Sequence, residues 1–319
     1  MKPVVTSATQ RAVRVGLCLP QLGEAVDRQA VRTFCERAEA LGYAGLWAQE
    51  HLYFPRHPSS GYAARPGVPV PEPYRTTYAA TELLMAAAAW TERIGIGTSV
   101  LVAGYHRPVE LAQRTATLDV LSGGRLTVGF SVGWSKEEHD QMEVDFSTRG
   151  RRAEELVRAL LACWGPDPVD FSGEFFRIEQ ADVRPKPLQT PRPRLLSGMR
   201  SAPGLRRTAA LFDIWNPASG SLPEILDTAR ELAAFRPADA APLDVYQRLF
   251  LEPPVTRPGL DLLGVEGVAD AVAAAREAGI PEVILDANFW HEIRNPEDWM
   301  ALPDRLLPVL RAAQPAGAA

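Results

Sequence analysis

Residues able to do chemistry collect at the ends of short apolar runs. Glu50 and His51 follow GLWAQ, a carboxylate and an imidazole side by side where a strand-like run closes. Thr98, Ser99 and Val100 close IGIGTSV, and Ser131, Val132, Gly133 and Trp134 close RLTVGFS. Ser197, Gly198, Met199 and Arg200 end a fifth run, Trp215 and Asn216 a sixth, and Pro20 and Gln21 the first. A histidine beside a carboxylate can give or take a proton near neutral pH. The other ends offer small residues that let backbone approach a ring face, and a Ser-Gly-Met-Arg turn opening a helix that can hold a phosphate. Such a surface suits a planar cofactor that brings its own reactivity.

Other chemistries find less support. Ser131 has no histidine placed to activate it, and His51, His57, His106, His139 and His291 lack HxH or HExxH spacing, so no metal ligand set is expected. Trp47 lies inside an apolar strand and reads as core. His106 and Pro108 read as a helix entry, His139 as a solvated helix residue, and SGGR at 122–125 as a helix stop.

These residues need a frame that brings the run ends together. Apolar, β-branched runs at 13–19, 44–48, 94–100 and 125–131 alternate with amphipathic helices at 27–41, 77–91 and 108–121. Strands near 193–197, 213–217, 243–251 and 282–287 alternate with helices near 204–211, 222–235, 266–278 and 296–312. Eight strand–helix pairs predict an α/β chain folded as a single (β/α)8 TIM barrel over residues 12–313, whose ligands sit at the carboxyl ends of the strands. An open doubly wound sheet has the same periodicity and stays as the alternative. Residues 1–11 and 314–319 read as flexible tails.

Two insertions interrupt the alternation. The one after strand 2, residues 49–76, is rich in proline and tyrosine and reads as an active-site cover built on Tyr53, Phe54, Tyr62 and Tyr74, hinged at Ser59-Ser60-Gly61 and Gly67. The one before strand 5, residues 165–192, reads as a β-hairpin with a proline-rich exit. A net charge of −5 argues against nucleic-acid or membrane-surface partners. Three cysteines without CxxC spacing, and no apolar leader or membrane span, point to the cytoplasm.

The run RIGIGTSVLVAGYHRPVELAQRTATLDVLSGGRLTVGFSVGW, with GLWAQEH before it and RGRRAEELVRALLACW and GEFFRIE after it, resembles the luciferase-like superfamily of barrel oxidoreductases. Within it, the chain is similar to the branch that uses the deazaflavin coenzyme F420. The resemblance spans about two thirds of the chain and thins beyond about residue 220. It implies a (β/α)8 barrel holding F420, or FMN as the alternative, against Ser131, Val132 and Gly133, with Trp134 flanking the substrate. It also implies a bulge with a non-prolyl cis peptide at Ser99–Val100, and phosphate contacts from Ser197, Gly198, Met199 and Arg200. Gly198-Met199 stands where the family usually has Gly-Gly, with Arg200 as the substitute contact. Glu50-His51 takes the place of the family's carboxylate–histidine pair, with His51 as proton donor or acceptor. The expected reaction is hydride transfer between F420 and a small organic substrate in a homodimer. Monooxygenation by reduced FMN and dioxygen, and a non-catalytic flavin-binding barrel, are the alternatives.

Overall fold

The apolar runs become parallel strands because their residues are covered on both faces, one by the barrel bore and one by helices. The computed structural model describes residues 12–59, 61–65, 67–253 and 263–315. The expected tail 1–11, residues 316–319 of the tail expected at 314–319, and the hinge residue Ser60 lie outside these residues.

The first half runs β1 (Arg14–Cys18), α1 (Arg28–Leu41), β2 (Gly45–Ala48), α2 (Ala80–Ala89), β3 (Gly95–Thr98), β4 (Leu101–Val102), α3 (Pro108–Leu121), β5 (Leu126–Ser131), α4 (Lys136–Gln141) and α5 (Arg149–Trp164). A hairpin of β6 (Val169–Ser172) and β7 (Arg177–Ala181) follows. Then come β8 (Arg194–Ser197), α6 (Ala202–Leu211), β9 (Ile214–Trp215), α7 (Leu222–Phe235), β10 (Asp244–Phe250), α8 (Gly264–Glu277), β11 (Glu282–Asp286), α9 (Pro296–Arg305) and α10 (Leu307–Ala312). The strands pair in the order β3-β2-β1-β11-β10-β9-β8-β5, and β5 pairs back to β3. This closes a parallel (β/α)8 barrel and excludes the open sheet. Among the described residues no helix is long and apolar enough to cross a membrane.

Two expected elements are divided. The single strand at 94–100 is two pieces: β3 ends at Thr98, the Ser99–Val100 peptide is cis, and β4 resumes the pairing with β5. Ser99 N donates to Ala48 O at 2.7 Å and Glu50 N to Val100 O at 3.1 Å, so this stretch stays stitched to the end of β2. The helix at 296–312 breaks at Leu306, where Pro308 in the next first turn has no N–H to continue the ladder. Local signals elsewhere act as read. The Asp27 side chain caps α1 by accepting from Ala30 N at 2.7 Å, and Gly42 ends it at φ 85°.

The bore is filled by a small cluster of Cys18, Trp47, Leu196, Ile214, Tyr246 and Ile284. Trp47 is core, as its strand position implies. Its ring occupies space that Gly97 leaves, where a Cβ would lie 2.5 Å from the indole. A much larger apolar layer packs strands against helices around the barrel.

Candidate active site

Glu50 and His51 are adjacent in sequence but not partners in space. Successive side chains at a strand end point to opposite sides. Glu50 Oε2 accepts from Val102 N at 2.7 Å and lies 3.0 Å from His106 Nε2. His51 turns the other way, its Nδ1 3.3 Å from Glu138 Oε1. The dipeptide therefore gives two histidine–carboxylate pairs, and His106 does more than open a helix.

Glu138 sits in the first turn of α4, just past the end of β5, with Ser135 capping the helix. Its Oε1 also accepts from Leu52 N at 2.7 Å, and its Oε2 from the Tyr105 hydroxyl at 2.7 Å. Burial pushes this carboxyl up, but the bonds from His51, Tyr105 and Leu52 outweigh it and hold the group below the usual glutamate range. A carboxylate only accepts, so the His51 tautomer it selects carries its proton on Nδ1. Nε2 is then the ring atom left for chemistry. Burial and the nearby Glu138 charge push the Tyr105 hydroxyl far up, so it remains a donor.

His139, expected in solvent, is buried. Its Nδ1 lies 2.8 Å from Ser135 O, and its ring packs edge-on against Tyr105 and Phe146 at 5.1 Å each. Gly133, at φ 74°, leaves room for it; a Cβ there would be 2.7 Å from the imidazole. Burial lowers the pKa of His139, and it serves as a neutral packing residue.

The 49–76 insertion crosses the barrel mouth. Tyr62, Val70 and Tyr74 form an apolar cluster with Leu22, packed against Trp134 and Phe289. The His51 ring lies 4.4 Å from that of Tyr74 and 5.4 Å from that of Trp134. Tyr53 departs from the expected aromatic cover: it is 39% exposed and faces outward. Phe54 instead stacks under the Arg75 guanidinium at 4.2 Å. Helix α4 ties the segment down, with Glu137 Oε1 accepting from Ser59 N at 2.5 Å and from Ser59 Oγ at 2.7 Å.

Beneath the cover is a cavity of about 360 Å³. Of the residues singled out from sequence, Glu50, His51, Ser99, Val100, Ser131, Gly133, Trp134, Gly198 and Arg200 line it. Val132, Ser197 and Met199 do not. Val132 packs against the outer core, and the Ser197 hydroxyl is engaged with Thr208 Oγ1 at 2.6 Å. The Met199 side chain is buried, while its carbonyl accepts from Trp215 Nε1 at 2.8 Å.

Sequence reasoning missed Glu138, Tyr105 and Arg248. The Arg248 guanidinium is buried, pairs with Asp286 and donates to Ser99 O at 2.7 Å. Asn216 Oδ1 accepts from Ser99 Oγ at 2.9 Å, so the backbone beside Val100 is held from two strands. At the rim, Arg200 donates to Ser219 Oγ at 2.9 Å just before α6 begins. Among the described residues no group of three or more His, Cys, Asp or Glu is arranged to hold a metal ion.

The model of a family described as luciferase-like monooxygenase matches residues 14–252. The chain belongs to this family. The match runs past residue 220, where the resemblance read from sequence fades. An uncharacterized protein of Mycobacterium tuberculosis is 28% identical over 276 residues, covering 84% of this chain and 89% of the relative. An FMNH(2)-dependent dimethylsulfone monooxygenase of Pseudomonas putida is 33% identical over 139 residues, covering 43% of this chain and 38% of the enzyme. Among solved structures, an F420-dependent secondary alcohol dehydrogenase superposes with a TM-score of 0.72 at 15% identity, over 94% of this chain and all (100%) of that one. At that identity the likeness is one of fold. The chain is thus similar in part of its sequence to an FMNH(2)-dependent enzyme and in fold to an F420-dependent one.

Proposed function

We propose that this chain is an oxidoreductase that exchanges a hydride between coenzyme F420 and a small organic substrate held beneath the 49–76 cover. The carrying observation is the His51–Glu138 pair, a group able to exchange a proton at the wall of an aromatic-lined cavity. The residues present fit a flavin-like cofactor. Gly198 leaves open a cradle that a Cβ would fill against Val100 at 3.2 Å, where backbone and a ring face can meet. Arg200 and Ser219, beside the start of α6, would take the phosphate end.

When bound, F420 supplies a carbon that gives or accepts a hydride. The residues of the chain do the rest. His51 Nε2 takes the hydroxyl proton as a substrate alcohol is oxidised, or returns it as a carbonyl is reduced. Glu138 keeps the imidazole in the tautomer and orientation that expose Nε2 and stabilises the imidazolium while the proton is held. Tyr62, Tyr74 and Trp134 exclude water from the path. Arg248 and Asn216 hold the Ser99–Val100 backbone in place.

A second reading, monooxygenation with reduced FMN and dioxygen, is favoured by the identity shared with the dimethylsulfone monooxygenase. Fluorescence titration of the purified protein with F420 and with FMN separates the two, alongside oxygen uptake with each reduced cofactor. The first reading expects F420 binding and substrate-dependent change in F420 absorbance without oxygen uptake. FMN binding with substrate-dependent oxygen uptake, and no F420 response, overturns it.

A further inference from the structure

The charged residues lining the cavity differ in how they are satisfied. Glu50 has His106 and Val102 N, and Glu138 has His51, Tyr105 and Leu52 N. Arg248 has Asp286 and Ser99 O, and Arg200 has Ser219. Arg65 also lines the cavity and is half-buried, yet it has no side-chain partner among the described residues. A guanidinium at the cavity wall with no acceptor among the described residues is free to take an anionic ligand.

The backbone around Arg65 is built to hold it. Tyr62 N donates to Val68 O at 2.8 Å, closing a seven-residue loop with Arg65 inside it. Arg65 N donates to Tyr62 O and Val68 N to Arg65 O, both at 3.1 Å. Within this loop Ala63 adopts φ 53°, ψ 38°, a left-handed conformation that a residue with a Cβ takes only where its surroundings impose it. Tyr62, on the same short turn, packs its ring 5.2 Å from that of Trp134 and so fixes the turn to the cavity wall.

We propose that the substrate carries a carboxylate, and that Arg65 binds it from the cover while the reacting carbon lies toward His51. The inference rests on reading this cavity as the substrate site. Each of the two cavity glutamates already accepts from a histidine and a backbone N–H. The walls supplied by Tyr62, Trp134 and Phe289 favour an aromatic or otherwise apolar body between carboxylate and reacting carbon. Arg65 is thus a specificity-determining residue, and the cover selects substrate as well as excluding water.

The test uses 4-formylbenzoate and its uncharged isostere 4-formylbenzamide, titrated calorimetrically into the protein in the presence of F420 and, separately, of FMN. The wild type should bind the acid about tenfold more tightly than the amide, the range of a charge-assisted hydrogen bond in a partly desolvated site. Arg65→Met should remove that preference while leaving amide affinity, F420 affinity and the melting temperature unchanged. Arg65→Lys should restore part of it. Equal affinity for acid and amide in the wild type, binding of neither, or a preference that survives in Arg65→Met would each overturn the proposal. So would loss of cofactor affinity in Arg65→Met, which would assign the arginine to the cofactor. Calorimetry needs no turnover, so failure of the hydride-transfer reading would leave this result interpretable.

Discussion

Two glutamates at opposite ends of the same barrel are almost equally buried, Glu138 at 1% and Glu282 at 4% exposure, yet their proton affinities move in opposite directions. At the mouth, Glu138 is held down by donors from His51, Tyr105 and Leu52. At the base, burial raises Glu282 from the ordinary value near 4.5 to about 6, only partly opposed by Arg14 and a bond from Trp47. Burial acts alike on both. The number and direction of donors decides the sign. The mouth keeps a charged group beside a histidine, whereas the base tolerates a carboxyl because nothing there depends on its charge. Substitutions at the two ends should therefore fail in different ways.

The largest difference is expected from His51→Ala. Removing a proton-exchanging group should lower kcat by about 100- to 10,000-fold. F420 affinity by fluorescence titration should change little, since the cofactor contacts proposed here are Gly198, Arg200 and Ser219. A variant that keeps its turnover and binds F420 weakly would make the mouth a binding surface, and the contrast with the base would lose its catalytic meaning.

Next comes Glu138→Gln, which keeps the shape and removes the charge. Outer partners that orient a histidine are worth about 10- to 100-fold where measured, and a fall of that size in kcat is expected. KM should stay near the wild-type value, because Glu137 still ties the cover at Ser59. A rise in KM at unchanged kcat would show that Glu138 matters only as a cover anchor. The depressed proton affinity of Glu138 also has a sign. Its contribution to stability is fully present above the ordinary carboxylate range and is lost only as pH falls through the lower, folded-state value. The cover should therefore stay anchored in mild acid, and hydrogen exchange at Leu52 should show it.

The barrel was legible because two-sided burial leaves its mark on each strand separately, as in 13–19 and 125–131. The cavity lining was legible where a residue sits at a strand end, as His51 and Ser99 do. It was not legible where pairing runs between distant elements. Glu138 lies in KEEHDQ, which reads as a solvated helix, and its burial comes from a cover 86 residues away in sequence. His139 is dry for another reason, since it packs against Tyr105 and Phe146 in space that Gly133 leaves. Arg248 could have been found: in DVYQRLF it alternates with Tyr246 and Phe250, and period-two geometry turns all three to one face. A charge on an apolar strand face, matched by Asp286 at the end of VILD, marks a buried ion pair. The division at Ser99–Val100 came from resemblance together with Gly95, Gly97 and Thr98, which loosen IGIGTSV just before it.

The smallest effect sharpens the comparison from the base. Glu282 binds its proton more tightly in the folded state than an ordinary glutamate does. Its favourable contribution is therefore complete below the ordinary value near 4.5 and is lost as pH rises through about 6. A glutamine cannot ionise, and its carbonyl can keep the bond that Glu282 Oε1 accepts from Trp47 Nε1 at 3.2 Å. Glu282→Gln should match the wild type in urea unfolding near pH 4 and exceed it by about 2 kcal/mol above pH 7, with turnover unchanged. Arg14 is the opposing partner, 3.2 Å from Glu282 Oε2, but its side chain is 54% exposed and water screens the pair. If Glu282→Gln proves less stable at high pH, that ion pair outweighs burial, and the base holds a charge much as the mouth does. If it is more stable and equally active, the two ends differ as their donors require.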